Sequence, residues 1–461
     1  MRMTLLPALL AMAFAPLPAA AAEDGRSWQA GDHHVHSEWS VDWDRTTTPP
    51  KPIRGGDSPY TRTHNALQAA ANGLTWMVHT DHGGPGHSAV TRELAWPELQ
   101  KARQAVPALI QFHGMEFDVP AAEHASLIIA PGPDEREQQY LIERDYSRGE
   151  PLQGNRNEEA QMLEALGYLR ALAPLPLLIV NHPSRTATGI GDWGDVSPRE
   201  LRAWHDAAPQ VVVGMEGAPG HQAASPHRGL YRNSPAPTLG GFDQMTAQVG
   251  GIWDQMLAEG RHFWITANSD SHINQRDGGG DFDPGQYSKT YVWARHEAGD
   301  ILDGLRHGRM FTVTGDLIDA LQLRVADTAN AGHAATMGET LSVAGNAPIR
   351  IDLRLHQPLA ANHNGQHPRL QHVDVIVGEA GDEDSPHMQL RRFEAAELQQ
   401  EGDELLLSWE LPAPANGGFV RVRGSSTEEA TPQPDQQGDD PWQDLWFYSN
   451  PVFIQPVGDS P

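Results

Sequence analysis

Between Leu74 and Asp270 the sequence repeats one pattern: a short apolar run, a polar cluster, then a helix-like stretch. The runs are LTWMVHT (Leu74–Thr80), ALIQFHGMEF (Ala108–Phe117), ASLIIAP (Ala125–Pro131), PLLIVNHP (Pro176–Pro183), VVVGMEG (Val211–Gly217) and HFWITANSD (His262–Asp270). They have the length and near-continuous apolar character of strands buried on both faces. Segments such as THNALQAAANG, NEEAQMLEALGYLRALA and SPRELRAWHDA read as helices, and Ser197-Pro198-Arg199-Glu200 has the form of a helix start. Strands alternating with helices predict an α/β fold of parallel units, either an open sheet covered on both faces or a barrel.

The polar residues gather where each strand ends. His79, Asp81 and His82 follow one run, and His113 and Glu116 lie at the end of the next. His182 follows a third run, and Asp270 and His272 close a fourth. In β/α barrels the C-terminal strand ends carry the functional groups.

Near residue 316 the pattern changes. APIRIDLRLHQP, LQHVDVIVGEA, DELLLSWELP and GFVRVRGSS alternate apolar and polar positions and are separated by turn residues. Residues 317–461 are expected to form a β-sandwich-like domain after a catalytic domain at 23–316. Within the second domain, Ser426–Gln443 is polar and acidic and reads as a mobile loop.

The first 22 residues read as an export signal: Arg2, a short apolar run, then Ala19–Ala22 before a cut. The expected location is periplasmic or secreted, with no stable membrane span. The net charge of −27 argues against a nucleic-acid partner, which would call for excess Lys and Arg. With no cysteine in the chain, any metal must be held by imidazole and carboxylate.

Those two groups are concentrated at the strand ends. GDHHVHSEWSVDWD (Gly31–Asp44) places His34 and His36 two apart, so on an extended strand both point the same way, and His33 points opposite. Alone, such a pair is an ordinary solvated feature. HTDH with His82, HGMEF with Glu116, EHASLII with His124, NHPSR with His182 and NSDSH with Asp270 and His272 reverse that reading, because each lies at a strand boundary.

The ordered motifs DHHVHS, HTDH, GMEFD…EHASLI, NHPSR and NSDSH resemble those of the PHP (polymerase and histidinol phosphatase) superfamily of metallohydrolases. ILDGLRHGRMFTVTGD and WFYSNPVFI are similar to a branch that includes a bacterial carbaryl hydrolase and carries an appended β-sandwich. The resemblance implies a distorted β/α barrel of about seven strands holding two or three divalent ions, zinc, manganese or iron. It implies His34, His36, Glu116 and Asp270 around one ion, with Glu116, His124 and His182 around a second. The third would take His82, His272 and Asp42, with Asp44 as the competitor. Asp32 and Asp81 would orient ligands.

The implied activity is phosphoester hydrolysis, with a small-molecule phosphoester as substrate. Carbamate, ester or amide hydrolysis is the alternative, and an inactive binding protein a third reading. Divalent ions would acidify water and hold phosphoryl oxygens. Arg185 is placed either to clamp a phosphate oxygen or to form a salt bridge. His79, His87 and His221 are the general-acid candidates, His79 reading better as a strand histidine. Trp39, Trp43 and Trp193 would line a pocket or serve as packing. Arg276–Gly285, RDGGGDFDPG, lacks the spacing of a calcium loop and reads as flexible.

Overall fold

The computed structural model describes residues 25–48, 50–151, 156–221, 223, 235–381 and 386–457, so the expected export signal lies outside the described residues. The first part of the chain contributes β1 (Ser27–Asp32), the paired short strands β2 (Asp42–Asp44) and β3 (Lys51–Ile53), β4 (Trp76–His79), β5 (Ile110–Asp118) and β6 (His124–Ile129). β7 (Leu177–Val180), β8 (Val212–Ala218), β9 (Trp264–Ala267), β10 (Ser288–Ala294) and β11 (Met310–Thr314) follow. The fold is mixed α/β, built on one large sheet in which β11, β10, β1 and then β4 to β9 run side by side.

The expectation of uniformly parallel units is corrected at β6, which is antiparallel to both β5 and β7. Only Val119–Glu123 separates β5 from β6, a link far too short for a crossover helix, so the chain must turn straight back. The strands from β1 round to β9 curl so that the chain just past β1 meets the chain just past β9. Val35, just past β1, forms a parallel bridge with Ser271, just past β9, and His36 N–H donates to Ser271 O at 3.0 Å.

Helices cover the outer face. Pro198–Ala207 begins with a complete capping box, Ser197 accepting from Glu200 N–H and the Glu200 side chain accepting from Ser197 N–H. Leu166, Leu201, Trp204 and Trp253 pack on Leu127, Leu178, Val213 and Ile265 of the strands to make one continuous apolar core. No helix among the described residues is long and apolar enough to cross a membrane.

The remaining strands are β12 (Ala320–Asp327), β13 (Asn330–Thr336), β14 (Thr340–Val343), β15 (Pro348–His356), β16 (His372–Glu379) and β17 (Met388–Glu394). β18 (Gln399–Glu401), β19 (Glu404–Pro412), β20 (Gly418–Ser425), β21 (Trp446–Ser449) and β22 (Val452–Pro456) complete the set. β13, β12, β15, β19 and β18 form a separate sheet. Its Leu323, Val325, Ile351 and Leu353 share a second core with Val375, Val420, Val422 and Ile454. β20, β22, β14, β16 and β17 belong to the large sheet, which continues through residue 316 because β11 pairs with β21.

One buried ion pair, Arg421–Asp254, and one buried hydrogen bond, from Arg423 to Ala247 O, cross the same line. Arg421 binds both Asp254 oxygens at 2.7 Å, and Arg423 reaches Asp374 at 3.0 Å and Ala247 O at 3.0 Å. Ser426–Gln443 departs from the expected mobile loop. Asp435 accepts from Thr238 Oγ1 at 2.6 Å and from Gly241 N–H at 2.9 Å, and Gly240 N–H donates to Gln433 O at 3.0 Å.

Candidate metal centre

Beyond β1 the backbone stays extended, so His34 and His36 project together. Their Nε2 atoms lie 3.0 Å apart, and each is within 3.1 Å of Asp270 Oδ1. Their other ring nitrogens are occupied: His34 Nδ1 meets Glu216 Oε1 and His36 Nδ1 meets Ser40 Oγ, each at 2.7 Å. This is how ligating histidines are fixed, with one nitrogen on an orienting partner and the other facing the site. His33 turns away to Ser126 and Thr266.

On β5 side chains alternate, so Glu116 faces the site while His113 turns to the opposite face beside Trp96. The Glu116 carboxylate is central: His124 Nδ1 lies 2.9 Å away, His82 Nδ1 2.9 Å and His182 Nε2 3.0 Å. Asn181 donates to Glu116 Oε1 at 3.1 Å, and Glu216 Oε2 accepts His182 N–H at 2.6 Å. Glu216, inside the apolar run VVVGMEG, thus holds both His34 and His182.

After β9, His272 Nε2 lies 3.2 Å from Asp57 Oδ2, and His221 Nε2 lies 2.7 Å from Asp270 Oδ2. Asp281 joins His221 Nδ1 and accepts His272 N–H at 2.9 Å. The aspartates of Arg276–Gly285 are therefore held by protein groups, Asp277 by Tyr60 and Asp283 by Arg276. Gly220 brings His221 into place, because a Cβ there would stand 2.1 Å from Ser269 O. Among the described non-glycine residues, six have positive φ, and His182 (26°), Asp270 (45°) and His221 (61°) are three of them. Such concentration is expected where a site dictates the backbone.

Among the described residues, four groups bring ligand atoms within 4.8 Å of one another: His36, Asp57, His82 and His272; His34, His36 and Glu116; His82, Glu116 and His124; and His221, Asp270 and His272. They share members and form one polynuclear-sized cluster. Burial opposes every charge here, yet the surrounding imidazoles hold the Glu116 and Asp270 carboxyls well below the usual range. Burial also lowers the histidines, but Glu116 and Asp118 carry His124 up to about 9, and Asp57 and Asp270 carry His272 to about 9. Burial, with His272 and His82, leaves His36 at about 4. Burial lifts Glu216 to about 7. Glu116 Oε2, Asp57 Oδ2 and Asp270 Oδ1 are buried and face imidazole nitrogens at 2.9, 3.2 and 3.0 Å. A divalent cation suits this arrangement, since it satisfies such oxygens and displaces protons from the imidazoles.

Of the expected ligands, Asp42 and His182 are not brought into any of these groups, although His182 Nε2 lies 3.0 Å from Glu116 Oε1. Asp42 lies exposed on β2 against Gly56, and Asp57 occupies the position foreseen for it. Asp44 is turned to Thr46. His87 is corrected as a general-acid candidate: buried, it spends Nδ1 on Glu143 at 2.7 Å and Nε2 on the Trp39 carbonyl at 2.8 Å. Arg185 pairs with Glu123 at 2.6 Å and reaches His124 Nδ1 at 3.4 Å, and its buried Nε makes no hydrogen bond. Asp81 holds Ser37 and Arg62, and Asp32 holds His34 N–H and Ser269 N–H, so both shape the backbone around the ligands. Trp39 packs with Val90 and Ala95 beneath Arg54, and Trp43 lies against Gly84, two residues from His82. Trp193 packs at the edge of the first core.

No family model matches the chain, and no curated protein matches it. Among solved structures it is similar to Endonuclease Q in complex with a 27-mer duplex substrate with an abasic lesion at the active site. The TM-score is 0.32 and the identity 14%, over 61% of this chain and 56% of that one, so the chain spans little more than half of that neighbour.

Proposed function

We propose that this chain is an exported, metal-dependent phosphoester hydrolase of PHP type, acting on a small-molecule monoester or diester in the periplasm or outside the cell. One observation carries the reading. Imidazoles and carboxylates from several strand ends form four overlapping groups, each with its ligand atoms within 4.8 Å of one another, and the buried carboxylate oxygens there face imidazole nitrogens. On this reading His34, His36, Glu116 and Asp270 hold one ion, Glu116, His124 and His182 a second, and Asp57, His82 and His272 a third. The ions, zinc, manganese or iron, supply Lewis acidity and acidify water.

The chain supplies the rest. Arg185, beside His124 with Nε unengaged, serves as the anion clamp, its planar fork matched to phosphate. His221, about a third exposed, stands at the open side as the proton-bearing group nearest a leaving group. The acidic surface and the enclosed ligands favour a small substrate over a nucleic acid.

Steady-state assays of the Mn²⁺- and Zn²⁺-loaded protein test the proposal. Mono- and bis-p-nitrophenyl phosphate are compared with naphthyl acetate and a naphthyl carbamate. Turnover of the phosphoesters is expected. Turnover of the carbon esters alone would sink the proposal in favour of a carbon-ester or carbamate hydrolase.

A further inference from the structure

The segment between β20 and β21 lies far along the chain from the ligands, yet it is built into the wall behind them. Trp442 sets its ring edge-on against Phe282 at 5.5 Å and against Tyr287 at 5.1 Å. Phe282 stacks on Tyr287 at 5.0 Å, and Tyr287 O–H donates to Pro441 O at 2.9 Å. These three rings are almost fully buried. Phe282 is the neighbour of Asp281, whose carboxylate takes the N–H groups of His272 and Ile273 at 2.9 and 3.2 Å and binds His221 Nδ1. A second contact of the same segment, Asp435 on Thr238 and Gly241, ties down the chain that returns after His221.

We infer that Ser426–Leu445 is a positioning element of the metal centre: through Trp442, Phe282 and Asp281 it sets where His221 and His272 stand. The inference rests on the metal-centre reading above. The anchor and the ligands are one short rigid path, because Phe282 cannot shift without moving Asp281. Asp281 in turn is the shared partner of one histidine ring and of the backbone of the other. In the groups built on His34, Glu116 and His124, Glu216 orients His34, Ser40 orients His36 and Asn181 orients Glu116. The C-terminal segment therefore acts directly on the His221–His272 part of the cluster, which meets the rest through Asp270 and His36.

The test uses the full chain, stripped of metal and titrated with Mn²⁺ by equilibrium dialysis and Mn²⁺ electron paramagnetic resonance. Asp281→Asn and Trp442→Ala should each weaken one bound ion about 10- to 100-fold and leave the tighter ions unchanged, the usual effect of losing an orienting partner. Trp442→Phe, which keeps an aromatic anchor, should restore that ion. Should Trp442→Ala not fold, Phe282→Leu takes its place. Wild-type affinity in the anchor variants, or an equal loss of every ion, would overturn the inference. A wild-type chain that takes up neither Mn²⁺ nor Zn²⁺ would instead overturn the metal-centre reading itself.

Discussion

Asp57 and Asp42 separate what residue spacing can and cannot reveal. Asp42 stands at the expected distance from His34, but the chain makes an excursion first, the exposed β2–β3 ribbon, and the acid that reaches His82 and His272 comes after it. Asp57→Asn should weaken one Mn²⁺ about 10- to 100-fold, whereas Asp42→Asn should leave the binding isotherm unchanged. The reverse result would restore Asp42 as the ligand. Arg185→Ala should raise KM for p-nitrophenyl phosphate with metal content intact, and unchanged kinetics would remove its clamp role. His34, His36, Glu116, His124, Asp270 and His272 could be read from the sequence because each is a chemically marked residue at a strand boundary. Glu216 could not be separated from the apolar run around it, although a lone glutamate in a buried strand was the available signal. Asp281 and His221 meet only through tertiary structure, and no local pattern joins them.

At the level of elements, the helix at Pro198–Ala207 illustrates what local chemistry decides. Ser197, Pro198 and Glu200 together mark its start, and the structure begins it there. Ser197→Ala should cost about 1 kcal/mol, read as a fall in the denaturant midpoint, with metal binding untouched. The direction of β6 was not legible in this way, because an apolar run reads the same in a parallel and an antiparallel strand. Direction is set by the short turn at Val119–Glu123, and it places His124 opposite Asp118, on the side of Glu116. Likewise the acidic composition of Ser426–Gln443 gave no sign of the contacts that Asp435 and Trp442 make, since composition measures average hydration, not partners.

Across the whole molecule, buried histidines away from the cluster set the acid limit. Burial, with Arg62 nearby, holds His79 down at about 3 and His113 well below its ordinary range. Both are then neutral in the folded chain, while in the unfolded chain they take up protons near pH 6.5. Their contribution is thus complete above about pH 6.5 and is lost as pH falls from there, toward about 3 for His79, at up to roughly 1.4 kcal/mol per pH unit for each. His113→Phe should flatten the stability–pH slope between about pH 6 and pH 4, measured by chemical denaturation. An unchanged slope would mean that other groups set it.

The large sheet carries one more consequence. β11 is covered on one side by β21, with Phe311 opposite Ser449 and Val313 opposite Phe447. The row of strands that presents the ligands is therefore finished only by residues near the other end of the chain. A chain cut after residue 316 would leave β11 as a bare apolar edge, a template for pairing with other molecules. It should self-associate in light scattering instead of giving a stable monomer. The same geometry means that, as the chain is made, the β11 edge stays open until residues 446–449 have followed it.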